Sequence, residues 1–416
     1  MLNTIDISPI YCLRHFLKNV FEIRTGIRVN VIEESLSGHC HLTKTCASDL
    51  KILDKSSATG EKECTVPVAR DFYNAYKDDE RFKKVDVVMC DHNIAICELY
   101  MAFDLPMIVY ATTRYELWRH KPERWKNLNH NLKLISQKPH NTIIANNLYD
   151  SKYLNYFTGL EVPVVDSFCG YSADEGIYNN PKRREILIGP SRINIEVDAF
   201  FSEVLKMAKT NGKSLKLAPI RSLYKTYKYS DLIQHPAIVI VPYQLSVMSF
   251  FEYYRMGLPI YFPSVDLLTK WHLEHRIIDQ KTWNMALYKE PATGSQIDPD
   301  PRATVPKSLD PNNDLDPRSV RYWNNFGDLY QWPHIIIFDS MEDLYNKLTT
   351  ATPQYYKEVS SHMQQYNKEL VNNLVEQWKK IFERVEAKRQ QGISRYETFE
   401  QAMSKLWQKH TLTCNV

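Results

Sequence analysis

Strand-length apolar runs recur along the chain, separated by stretches in which apolar residues return with the helical period. In the first half the runs are RVNVIEE (28–34), VDVVMC (85–90), MIVYAT (107–112), TIIANN (142–147) and VPVVDS (162–167). Between them, Pro9 to Ile23, Asn93 to Phe103 and Ser151 to Thr158 read as helices. Such alternation is the pattern of parallel sheets covered by helices on both faces, so it predicts an α/β fold.

The polar stretch EGIYNNPKRRE (175–185) interrupts this pattern, which then restarts. The strand EILIGPSR, a helix through AFFSEVLKMAK, the strand SLKLAPI, a helix ending in YSDLIQH and the strand AIVIVPY follow, and later HIIIFDS (334–340) leads into a helix from Met341. Two domains are predicted, 1–178 and 179–352, the second interrupted by a Pro- and Asp-dense loop insertion at 290–316 that shows neither period. Beyond Pro353 a long amphipathic helix and a shorter one, RYETFEQAMSKLWQKH, need a surface for their apolar positions. The seam between the domains is the expected surface, with 353–416 bridging them.

An internal echo suggests that the halves are alike. VDVVMC, DHN, IAICELYMAFD, Leu-Pro, MIVYA has the same order of strand, polar turn, helix and strand as AIVIVPY, QLS, VMSFFEYYRMG, Leu-Pro, IYFP. In the second copy Val247, Phe250, Phe251 and Tyr254 form a buried stripe at helical spacing, while Ser249, Glu252 and Met256 share a neighbouring face. Gly257 suits the left-handed residue that closes a helix, and Pro259 stops it from continuing.

Composition narrows the classes. With 416 residues, 44% of them apolar, the chain has material for two cores. Lys+Arg 52 against Asp+Glu 49 gives a net charge of +3, which disfavours nucleic-acid or membrane binding driven by bulk charge. Eight scattered cysteines without a C-x-x-C pair read as reduced and packed. No apolar run approaches the ~20 residues of a membrane span. A cytoplasmic protein is expected, with a Golgi or ER lumen location as the alternative for a trimmed domain. Neither G-x-G-x-x-G nor a Walker lysine loop occurs, which disfavours nicotinamide and P-loop chemistry.

In open parallel sheets ligands bind beyond the carboxyl ends of the strands. After AIVIVPY the turn Gln244-Leu245-Ser246 opens a helix whose N–H groups suit a phosphate, and Glu252 can accept two hydrogen bonds from a cis-diol. This stretch, SDLIQHPAIVIVPYQLSVMSFFEYYRMGLPIYFPS, resembles the donor-binding segment of GT-B glycosyltransferases of group 1. The resemblance implies two Rossmann-like domains facing across a cleft and transfer of a sugar from a UDP- or GDP-sugar to a glycan, lipid or protein hydroxyl. It places the donor ribose on Glu252 and the diphosphate on the turn at Ser246, with Ser249 beside it. Many retaining members carry a second glutamate where this chain has Gln244, and a Lys where it has Val197. Arg192 is the expected cation for the leaving diphosphate, with Arg221, just beyond Pro219 at the end of SLKLAPI, next in line.

On the acceptor side Asp91 and His92 stand at a strand's carboxyl end, where an inverting enzyme needs a base; Asp91 or Asn93 equally suits a helix cap. Thr113 and Arg114, and Asn146 and Asn147, hold equivalent positions, with Asn147 also placed to start a helix. No tightly bound cofactor and no metal are expected, the nucleotide-sugar being a co-substrate. His39-Cys40-His41 with Cys46, Asp298-Pro-Asp300, and Asp310, Asn312, Asp314 and Asp316 mimic metal sites but lack their spacing or context, and read as solvated loop. A sugar-nucleotide epimerase, or a non-catalytic binding or scaffold protein on the same fold, are the competing readings.

Overall fold

The computed structural model describes residues 2–6, 11–33, 46, 52–53, 64–91, 94–112, 114–116, 120–179, 181–189 and 197–407. Among these residues ten strands form two sheets. The first contains β1 (Leu2–Asp6), β2 (Val29–Glu33), β3 (Val87–Cys90), β4 (Met107–Ala111) and β5 (Thr142–Ala145), in the order β2-β1-β3-β4-β5. The second contains β6 (Ile186–Ile188), β7 (Leu217–Pro219), β8 (Ile238–Val239), β9 (Ile260–Pro263) and β10 (Ile336–Phe338), in the order β10-β9-β8-β6-β7. Every pairing is parallel. Counted from its own first strand, each sheet has the doubly wound order 2-1-3-4-5, so the α/β, Rossmann-like expectation holds and holds twice.

The helices that position the site are α1 (Tyr11–Phe16), α2 (Pro122–Ser136), α3 (Leu148–Thr158), α4 (Tyr171–Asp174), α5 (Tyr229–Leu232), α6 (Met248–Arg255), α7 (Asp328–Gln331) and α8 (Pro353–Gln391). The echo of the two halves is exact in topology: β3 to β4 and β8 to β9 are the third-to-fourth strand connections of their sheets. Even the register repeats, since Val88 N–H donates to the Pro106 carbonyl and Ile238 N–H to the Pro259 carbonyl, both at 2.9 Å.

Several elements differ from expectation. LNTID is too short and too polar to announce itself, yet β1 lies inside the first sheet, paired with β2 and β3. VPVVDS forms no full strand; it touches β5 through one bridge, Ala145 to Val164, because Pro163 has no N–H to extend a ladder. The stretch after β3 is a 3-10 helix, Ile94–Tyr100, and Cys97 in it is disulfide-bonded to Cys90. Cys46 and Cys169 are disulfide-bonded too. The reading of the cysteines as reduced and packed holds for the buried, free Cys64 and is corrected for these four, whose partners come together through folding.

The 290–316 segment is a strap packed onto the first half of the chain. Asp300 N–H donates to Tyr156 O at 2.9 Å, and Arg302 Nη2 to Thr158 O at 3.0 Å, both on α3. Asp300 also bonds Lys133 of α2. Burial alone would raise its pKa, but Arg302 and Lys133 hold it down to about 2. Asp314 faces Lys281 at 3.3 Å with both side chains closed to solvent. The solvated-loop reading is thus wrong for Asp300 and Asp314; it failed because Lys133 and Lys281, which meet them, lie outside the segment. Asp316 caps the next helix at Arg318 N–H. The cluster His39, Cys40, His41 lies outside the described residues.

Helix α8, 39 residues long, is opened by the Thr352 cap and Pro353. Its first half lies on the second sheet's elements, with Tyr356 and Tyr261 hydroxyls 3.0 Å apart and Asn367 Nδ2 donating to Tyr254 O at 3.1 Å. Its second half lies on the first, with Arg24 Nη1 to Asn372 Oδ1 at 2.7 Å and Lys388 to Asp104 at 2.6 Å. Gly257 has φ +70, as expected, and a Cβ there would come within 2.6 Å of Ser360 Oγ on α8. Among the described residues no helix is long and apolar enough to cross a membrane.

Candidate functional site

Helix α6 follows β8, beside the point where the second sheet reverses direction between β6 and β8. Its apolar stripe is buried: Phe250, Phe251 and Tyr254 surround Trp332 with ring centroids 5.3, 5.3 and 4.8 Å away. That packing fixes the helix rotation and leaves Ser249 and Glu252 on the half-buried side.

Among the described residues the Glu252 carboxylate meets no cation. Its Oε1 accepts the Tyr171 hydroxyl at 2.5 Å and the Tyr229 hydroxyl at 2.7 Å. Burial pushes its pKa up, and the two phenol donors oppose that shift. The Glu252 carbonyl accepts from Ser172 Oγ at 2.9 Å, so α4 is bound to the helix through backbone as well. Tyr227 and Tyr253 also feel the Glu252 charge, and burial above all raises both phenols. Four tyrosines therefore surround one acid. Tyr171 meets the edge of His15, with centroids 5.9 Å apart, and His15 Nε2 lies 2.8 Å from Asp174, so α1 of the first half reaches this group.

The other donor-side residues divide. Ser249 is half-buried on α6. Arg221 is exposed; its guanidinium lies over the Tyr227 ring at 5.5 Å and donates to Lys225 O at 2.9 Å, which links it to the tyrosine group. Pro219 ends β7, and its carbonyl accepts from Ser222 Oγ at 2.8 Å. Ser246 is half-buried in the turn; the turn's Leu245 carbonyl accepts from Asp328 N–H at 3.2 Å, and burial pushes the Asp328 carboxyl well above the usual carboxylate range, with the charges of Asp150 and Asp166 adding to the effect. Gln244 is half-buried in the turn. Arg192 lies outside the described residues.

On the first sheet Asp91 is buried directly after β3. The Tyr110 hydroxyl donates to Val165 O at 2.6 Å; burial raises its pKa, and Asp166, Asp91 and Asp328 add to that. Acids from both halves of the chain thus act on one phenol. Arg114 is buried with φ 47, and its N–H donates to Asp150 Oδ1 at 2.8 Å. Asn147 caps α3: its Oδ1 accepts from Asp150 N–H at 2.7 Å, while its Nδ2 donates to Asp150 Oδ2 and to Asn146 Oδ1, both at 2.9 Å. These two amides are used within the fold. His92 and Thr113 lie outside the described residues.

Tyr171, Tyr227, Tyr229 and Asp328 were missed from sequence. The tyrosine-rich KTYKYS (225–230) was the one available signal, and it has no periodicity that aims it at Glu252. Among the described residues no group of three or more His, Cys, Asp or Glu side chains is arranged to hold a metal ion.

No protein-family profile matches the chain, and no curated protein matches it. Among solved structures it is similar to TarM, at 11% identity and a TM-score of 0.42, covering 76% of this chain and 57% of TarM. It is similar to CalG4, the calicheamicin glycosyltransferase, at 12% identity and 0.41, and to the glycosyltransferase SnogD from Streptomyces nogalater at 10% and 0.40. Each of these two likenesses covers 92% of this chain and 99% of the other. At these values the likeness assigns no residue and no activity; the chemistry has to come from the side chains.

Proposed function

We propose that this chain is a glycosyltransferase that moves a sugar from a UDP- or GDP-linked donor to a hydroxyl of a glycan, lipid or protein acceptor. The observation that carries the reading is Glu252: a half-buried carboxylate that meets no cation among the described residues, beside the strand-order reversal of the second sheet, held by neutral hydroxyls. An ionised acid in that setting accepts hydrogen bonds from a ribose diol.

In this reading 179–352 holds the donor and 1–178 the acceptor, with 353–416 joining them. Glu252 binds the ribose, and Ser246, Ser249 and Gln244 line the diphosphate and sugar. Arg192, or Arg221 in its place, meets the charge that develops on the diphosphate as the glycosidic bond breaks. Asp91 or His92 takes the acceptor proton as the acceptor oxygen attacks the anomeric carbon. Arg114 and Thr113 shape the acceptor side, with Asn146 and Asn147 supporting it through the α3 cap. Closure of the two halves excludes water and protects the donor from hydrolysis. The disulfide-bonded Cys46, Cys90, Cys97 and Cys169 favour an oxidising compartment over the cytoplasm.

Calorimetric titration of UDP- and GDP-sugars, followed by nucleotide release measured with and without acceptors, tests the proposal. Saturable binding of one nucleotide class and acceptor-dependent release are expected. Absence of binding to every nucleotide sugar overturns it in favour of a scaffold protein. Isomerised sugar without transfer would point to an epimerase.

A further inference from the structure

We propose that Tyr171 and Tyr229 are positioning residues for Glu252, occupying one carboxylate oxygen so that the other is presented alone to a ribose hydroxyl. The inference rests on the donor reading above and adds how the grip is built. Both phenols donate to the same atom, Oε1, at 2.5 and 2.7 Å. Among the described residues nothing hydrogen-bonds Oε2. An ionised carboxylate has about four acceptor positions, two on each oxygen, so two donors on one oxygen fill it and leave the other open.

The type of donor matters as much as the number. A lysine or arginine here would neutralise the acid, and the ligand hydroxyl would compete with a full charge. A phenol kept protonated by burial gives a hydrogen bond and no charge. The carboxylate is thereby oriented while its negative charge stays available to the ligand, where a charge-assisted hydrogen bond is the strongest kind on offer. The two phenols also come from different places. Tyr229 sits on α5, 23 residues before Glu252, and Tyr171 on α4, 81 residues before it. Two independent tethers hold the rotamer of a side chain that would otherwise sweep several positions, which reduces the ordering cost on binding. Of the two acceptor positions left on Oε2, one meets a ribose hydroxyl in this proposal, so the site distinguishes the two hydroxyls of the diol.

The test uses the full chain and four nucleotides: UDP or GDP, whichever binds, its 2′-deoxy and 3′-deoxy counterparts, and the 2′,3′-dideoxy form. Wild type is expected to lose about tenfold in affinity when the contacted hydroxyl is missing, the size of one hydrogen bond to a charged group, and little when the other is missing. Tyr171→Phe and Tyr229→Phe each shrink that preference, and the double variant abolishes it, raising KM for the donor more than it lowers kcat. Dideoxynucleotide affinity stays at the wild-type value in all of them, which a loss of fold would not allow. Equal sensitivity to both hydroxyls in wild type, or a preference that survives in the double Phe variant while Glu252→Gln removes it, overturns the positioning role and leaves the donor reading standing. If wild type binds none of the four, both fail together.

Discussion

The chain carries the same local plan twice, and the two copies have opposite fates. After β3 comes the 3-10 helix Ile94–Tyr100, and after β8 comes α6; each ends in Leu-Pro and returns to its sheet with the same hydrogen bond. Each also carries one acid near the middle. Glu98 accepts from Asn131 Nδ2 at 2.7 Å and from both Nη atoms of Arg124, and is closed to solvent. Glu252 accepts from two phenols and, among the described residues, meets no cation. An acid paired with a buried cation has its charge consumed by the fold, whereas one held by neutral donors keeps it for a ligand. Every residue of the 3-10 helix is buried, as expected of a segment apolar on all sides, while α6 buries one stripe and leaves another face half-open. In the proposed function the first copy is wall and the second is the presenting surface.

The largest effect should come from the wall. Glu98→Ala leaves the half-buried Arg124 without its carboxylate, and a loss of about 3 kcal/mol is expected, read by chemical denaturation. A cost of a few tenths would erase the contrast between the two acids. Removing the Cys90–Cys97 bridge with the paired Ser variants should cost about 2 kcal/mol, because the loop it closes is short. Its further effect is on Asp91, which stands inside that loop: transfer activity should fall more than donor affinity, measured as kcat against donor Kd.

Glu252→Ala is expected to weaken nucleotide-sugar binding about tenfold or more with little change in unfolding, since no partner of Glu252 is left as an uncompensated charge. Calorimetry beside denaturation checks both halves of that statement; unchanged affinity would falsify the ribose role. The smallest effect concerns the turn before α6. The Asp328 carboxyl has its folded pKa raised by burial, so the unfolded chain releases its proton first, and stability declines as pH rises above the ordinary carboxylate range. Asp328→Asn should flatten that part of the pH–stability curve, followed by thermal unfolding at a series of pH values. An identical slope in the variant would show that another acid carries the decline.

Much of this comparison was legible in the chain itself. The run lengths announced β3, β4, β5, β8 and β9; the echo of Leu-Pro segments pointed to two similar halves; the stripe at Val247, Phe250, Phe251 and Tyr254 set the face of α6, and Gly257 marked its end. These features are local, and their physics acts within one or two turns of chain. β1 escaped because LNTID has no apolar run, and its place comes from pairing with β2 and β3.

What only the tertiary structure decided were pairings across long separations. Periodicity sorts residues into faces but does not say which side chain on another element will meet them. Hence Glu98 and Glu252 look alike in sequence, and only folding brings Arg124 to one and Tyr171 and Tyr229 to the other. The docking of the 290–316 strap through Asp300, the burial of Asp314 against Lys281 and the joining of Cys90 to Cys97 were hidden for the same reason. Local pattern determines which elements form and which way they face, because backbone sterics and burial act on neighbours; the charge state and availability of a side chain are set by whatever the packed chain places within a few ångströms of it.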